Sequence, residues 1–118
     1  TLDVEAKPVL GAIRSAVALV DRLTAEVGAE PGELNMILTN GRLMFALRRG
    51  APFMYVERSG LHDVRDEPEE PVEPKAPSVL RYVLAVSDGP EVPRDYSTLD
   101  DRQVLVIDRN LNVEAHSL

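Results

Sequence analysis

Cysteine and tryptophan are absent from this chain, and basic residues are outnumbered, 13 Lys and Arg against 20 Asp and Glu. Without cysteine there is no disulfide and no thiol nucleophile. No apolar run approaches the roughly 20 residues that a helical membrane crossing takes. The first residues also lack the basic, apolar and small-residue order of a secretory signal. These absences predict a cytoplasmic protein with no membrane partner. The formal net charge of −7 opposes a phosphate backbone, because nucleic-acid affinity comes chiefly from clustered Lys and Arg that release counterions. No nucleic-acid partner is expected. Arg42, Arg48 and Arg49, with Arg58 nearby, form the one basic cluster, and they read as a solvated hairpin face.

Motifs that carry chemistry are equally sparse. There is no P-loop, no dinucleotide-binding glycine pattern and no run of metal ligands at zinc or EF-hand spacing, so no cofactor and no metal are expected. His62 and His116 both fall beside loops or chain ends, where an exposed histidine is the ordinary outcome. The carboxylate pairs Glu69-Glu70 and Asp100-Asp101 lie in loop-like segments and read as solubilising charge. None of the serines at 15, 59, 78, 87, 97 and 117 sits in a Gly-x-Ser-x-Gly elbow. Ser87, at the end of an apolar strand, reads as a hydroxyl that caps the strand or bonds the turn at Asp88-Gly89.

What is present predicts an α+β fold. The chain of 118 residues, 44% hydrophobic and 28% charged, has the size of one small domain or of part of a larger one. From Pro8 to Val27, Val9, Leu10, Ile13, Val17, Val20, Leu23 and Val27 recur at spacings of three and four, one stripe of a helix. Pro8 suits its first turn and Gly28 its left-handed close. Arg14, Asp21, Arg22 and Glu26 mark the side in water. Leu34–Thr39, Asn40-Gly41 and Arg42–Leu47 read as a hairpin with a two-residue type I′ turn. Within it Leu43, Phe45 and Leu47 face the core. Phe53–Arg58 then adds a third strand to make a meander. An acidic, Pro-rich loop is expected at about 62–78, since Pro68, Pro71, Pro74 and Pro77 stand among carboxylates that bury nothing. Val79–Ser87 reads as a nearly fully buried strand at the sheet centre. Gln103–Asp108, a turn at Arg109-Asn110 and Leu111–His116 form a closing hairpin. Mostly antiparallel sheet covered by an N-terminal helix is the expected architecture.

The order of helix, Leu34-Asn35-Met36-Ile37-Leu38-Thr39-Asn40-Gly41-Arg42-Leu43 hairpin, Val83-Leu84-Ala85-Val86-Ser87-Asp88 strand and Val104–Asp108 hairpin resembles the C-terminal part of class II glutamine amidotransferases. Asn35, Thr39, Asn40, Gly41, Ser87 and Asp88 carry the match, with Asn40 where small bacterial members often have Asp and Asp88 where they have Glu. The resemblance implies part of an αββα N-terminal-nucleophile hydrolase sandwich. In that family an N-terminal cysteine attacks the side-chain amide of glutamine and ammonia is released to an acceptor. No catalytic residue carries over to this chain, and the six matching residues read as structural. The implied partners are an N-terminal half bearing the nucleophile, glutamine as substrate of the full-length form, and a second copy in a homo-oligomer. Thr1 as an exposed threonine nucleophile is disfavoured, because Pro8 and a helix follow where such a residue begins a strand. The alternative is a non-catalytic α+β module that binds a protein partner through a sheet edge.

Overall fold

The computed structural model of the chain describes residues 4–59, 81–87, 92 and 94–118. The Pro-rich segment at 62–78, Thr1, His62, Glu69, Glu70, Ser78 and Asp88 lie outside the described residues.

Helix α1 spans Ala6–Glu26, two residues earlier than the stripe predicts. Pro8 therefore falls inside the first turn, where a missing N–H costs nothing because no intrahelical acceptor exists for it. At the other end the N–H of Gly28 donates to Ala25 O and that of Ala29 to Thr24 O, both at 3.0 Å. Gly28 takes a φ of 74°. This paired closure satisfies two of the helix's last carbonyls and stops it. Ala6, Leu10, Ile13 and Val17 are buried, and each of the three larger side chains contributes about 1.5–3 kcal/mol by leaving water.

These residues press on a four-stranded antiparallel sheet of order β1-β2-β6-β7. Its strands are β1 (Met36–Thr39), β2 (Met44–Arg48), β6 (Gln103–Ile107) and β7 (Val113–Ser117). Strand β6 sits inside, and Val104, Leu105 and Val106 have no exposed surface. The β1–β2 turn differs from the two-residue reading. Thr39 pairs with Met44, which leaves residues 40 to 43 in the loop. The Asn40 carboxamide oxygen accepts the N–H groups of Arg42 at 2.9 Å and Leu43 at 2.8 Å. Asn40 thus acts through its side chain and keeps a negative φ, with only Gly41 positive at 89°. The pairing moves by two residues from the expected one, and a two-residue shift preserves which side chains share a face. Leu43, Phe45 and Leu47 consequently still meet α1.

A second antiparallel sheet has the order β4-β3-β5, with β3 Phe53–Ser59, β4 Arg81–Ser87 and β5 Ser97–Thr98. The expected meander does not form: β6 occupies the free side of β2, and the chain turns at Gly50 (φ 103°) to start β3 in the other sheet. Nor is β4 central. It flanks β3 as an edge strand, with Leu84 and Val86 partly exposed. Its apolar density reflects two different surroundings. Val83 and Ala85 pack between the sheets with Ala46, Phe53, Leu99, Leu105 and Ile107, while Leu84 and Val86 point the other way. Ala46 has no exposed surface, so the face of β2 expected to be polar is the sheet–sheet interface. The molecule is layered as helix, four-stranded sheet and three-stranded sheet.

Ion pairs fix the direction of α1. Glu5 lies 3.7 Å from Arg42 before β2, and Asp21 pairs with Arg49 just after it. Sixteen residues of helix at 1.5 Å and seven of strand at 3.3 Å both span about 23–24 Å. The helix therefore runs along β2. Arg14 donates twice to Ser117 O, at 2.9 and 2.7 Å, so its flank faces β7. The opposite flank, on the β1 side, carries Ala12, Ala16, Val20, Leu23 and Val27 by the 100° step of the helix.

Candidate functional site

The described residues that carry the family resemblance do not converge. Asn35 precedes β1 and holds the bend into β3: its Oδ1 accepts the N–H of Arg49 at 3.0 Å, and its Nδ2 donates to Ala51 O at 2.8 Å. Thr39, Asn40 and Gly41 lie at the far end of β1, about 13 Å away at the rise of a strand. There Thr39 Oγ1 donates to Leu43 O at 2.8 Å and accepts the N–H of Gly41 at 3.1 Å. Ser87 ends β4 opposite Phe53 in the other sheet. His116 Nε2 lies 3.4 Å from Glu114 Oε2, and strand alternation turns Ser117 to the opposite face. Among these described residues no nucleophile stands beside a base. Among the described residues no group of His, Asp or Glu could hold a metal ion.

The arginines expected on a solvated face are instead largely fastened to the fold. Arg49 is buried, paired with Asp21 of α1, and its Nε donates to Gly32 O at 3.2 Å. Arg102 reaches the other Asp21 oxygen at 3.5 Å. Arg48 donates to Ala51 O at 3.1 Å and to Leu99 O, and Arg58 pairs with Asp95 and lies over the Tyr96 ring. Arg42 alone of the four fits the exposed reading. Asp21 and Arg14 accordingly belong to the junction of helix and sheet, with Arg22 and Glu26 left in water. Sequence periodicity could not find this, because helix positions at the margin of a stripe read as polar whether they meet water or a buried arginine.

Two carboxylates are tuned by the backbone. The N–H of Gly50 holds Asp101 below the usual carboxylate range, against a smaller opposing effect of burial, with Arg102 N–H and the charges of Arg48 and Arg102 helping. At Asp108 burial pushes the carboxyl up, and hydrogen bonds from the Asn112 side chain, the Asn112 N–H and the Asn110 N–H outweigh it, so it too lies low. Asp108 is committed to donors inside its own loop, whereas Asp101 ties its loop to the β2–β3 turn through the N–H of Gly50 at 2.8 Å.

The feature without an internal use is β1. It borders the four-stranded sheet and pairs only with β2 among the described residues. Met36, Ile37 and Leu38 are 36%, 50% and 47% exposed. The bonds from Leu34 N–H to Arg49 O (2.7 Å) and from Asn40 N–H to Leu43 O (3.3 Å) fix the parity of the strand. Even-numbered residues turn their backbone groups toward β2, and Asn35, Ile37 and Thr39 turn theirs outward. Nothing charged lies between Leu34 and Gly41, and no Pro or bulge blunts the edge.

Comparison with protein-family models, with curated proteins and with solved structures gave no match in any of the three.

Proposed function

We propose that this chain is a non-catalytic interaction module whose working surface is the outer edge of β1. The carrying observation is an uncharged strand with apolar side chains on both faces and three residues whose outward backbone groups have no partner among the described residues. Extended partners bind such an edge through main-chain hydrogen bonds, and side-chain contacts on the two faces supply selectivity. The chain has no cysteine and, among the described residues, no helix long and apolar enough to cross a membrane, which supports work in the cytoplasm. Hydrogen exchange on dilute protein tests the proposal. In protein dilute enough to be monomeric, the amides of Ile37 and Thr39 should exchange rapidly while that of Leu38, bonded to β2, is slow; equal protection of all three in that monomer would mean the edge is already occupied within the chain and would overturn it.

A second reading is that the chain is the non-nucleophilic part of a class II glutamine amidotransferase. The stacking of helix, antiparallel sheet and antiparallel sheet favours it, since this order corresponds to three of the four layers of an αββα sandwich. The cysteine nucleophile and the glutamine site would come from elsewhere. Ammonia release from glutamine by the complete gene product, lost on replacing its N-terminal cysteine, is the result that reading requires.

A further inference from the structure

Resting on the interaction-module reading, we infer that the partner of β1 is a second copy of this chain, joined edge to edge about a two-fold axis at Ile37. The parity of the strand supports this register. The outward backbone groups belong to Asn35, Ile37 and Thr39, and antiparallel pairing centred on Ile37 sets Ile37 against its own copy and Asn35 against Thr39. Every outward residue of both copies is then hydrogen-bonded.

The same axis stands perpendicular to the sheet, so both helices lie on one face of a continuous eight-stranded sheet. Met36 of one copy meets Leu38 of the other on that face, beneath the two helices. There the β1-side flanks of α1 approach each other with Ala12, Ala16, Val20, Leu23 and Val27. Val20, Leu23 and Val27 are all among the exposed large apolar residues. On the opposite face Ile37 packs on Ile37.

Charge favours a second copy over other strands. The chain carries a net charge of −7, which repels copies over most of their surface, yet the strand from Leu34 to Gly41 contains no charged group, so pairing it with its own copy puts no like charges in contact along the edge. The patch is also large enough. Its exposed apolar side chains, with Leu19 beside them, offer on the order of 600 Å² per copy, most of the roughly 800 Å² that each partner of a standard interface buries.

The absence of cysteine makes the test clean. In a hydrogen-bonded antiparallel pair the facing Cα atoms are about 5.5 Å apart, inside the range that a disulfide spans. Ile37→Cys should therefore cross-link to twice the 13.0 kDa chain mass under mild oxidation. Ala115→Cys, on the opposite edge strand β7, should not. Sedimentation of the unaltered chain should show a dimer at micromolar concentration. Ile37→Lys, which sets two like charges face to face, should weaken it by about a hundredfold or more while leaving the circular dichroism of the folded chain unchanged. A chain that stays monomeric at about 100 μM, a dimer indifferent to Ile37→Lys, or equal cross-linking at 115 overturns the proposal. Rapid exchange at Ile37 in such a monomer would still leave the module reading standing with a different partner. A protected edge in a monomer would end both.

Discussion

Asp108 holds its loop through three hydrogen bonds. It is only 4% exposed and accepts the N–H groups of Asn110 and Asn112 and the Asn112 carboxamide, each at 2.9 Å. Asp108→Ala leaves those donors without an acceptor and should cost about 2–3 kcal/mol in urea denaturation. The carboxyl also imparts acid sensitivity. Its folded pKa is depressed, so its stabilisation is complete above the ordinary value of 3.8 and disappears as pH falls through the lower folded value. Denaturation midpoints measured between pH 6 and pH 2 should fall less steeply in Asp108→Asn than in the unaltered chain. Two glycines give opposite signs. At Gly50, φ is 103° and an added Cβ would sit 2.7 Å from Glu33 Cγ and 3.3 Å from Glu33 Cα, so Gly50→Ala should lose about 2 kcal/mol or more. Gly11 lies within α1 with nothing near its missing Cβ, and Gly11→Ala should gain about 0.5–1 kcal/mol in the same measurement. The sequence signalled a turn at Arg109-Asn110, directly after Asp108. It could not signal burial, which depends on what packs across from it.

Elements were legible where one periodicity determines them. The three-and-four spacing identifies α1 because a helix presents one stripe to one surface, and the closing hairpin shows as two apolar runs around a polar break. The β1–β2 pair was legible in facing although its turn was not, because alternation is insensitive to a shift of two. What alternation cannot tell is which strand is the neighbour. The assignment of β3 to a second sheet depends on β6, some fifty residues later, taking the place beside β2. Strand β5 has two residues and no pattern to read. The junction of α1 with the sheet was missed for a related reason: Asp21 is polar, yet it partners Arg49, whose side chain is 8% exposed. Asp21→Ala should leave that guanidinium buried and half satisfied, lowering the unfolding free energy by about 3 kcal/mol, whereas Glu26→Ala, whose ion pair lies in water, should change it by less than about 0.5 kcal/mol.

For the whole molecule, the proposed pairing at the edge of β1 would make stability depend on concentration. If two copies share that edge, the midpoint of thermal unfolding should rise as the protein is concentrated from about 1 to 100 μM, and Ile37→Lys should abolish the rise. The candidate site was only partly legible here: an uncharged octapeptide from Leu34 to Gly41 is visible in the sequence, but whether it is interior or border is settled by pairing elsewhere. The insertion of β6 between β2 and β7 also governs synthesis. The surface that α1 covers is incomplete until residues 103 to 107 have been made, so the first half of the chain emerges with Leu10, Ile13, Phe45 and Leu47 unsheltered. Folding of this layer cannot keep pace with translation, and the nascent chain spends that interval as a candidate for chaperone capture.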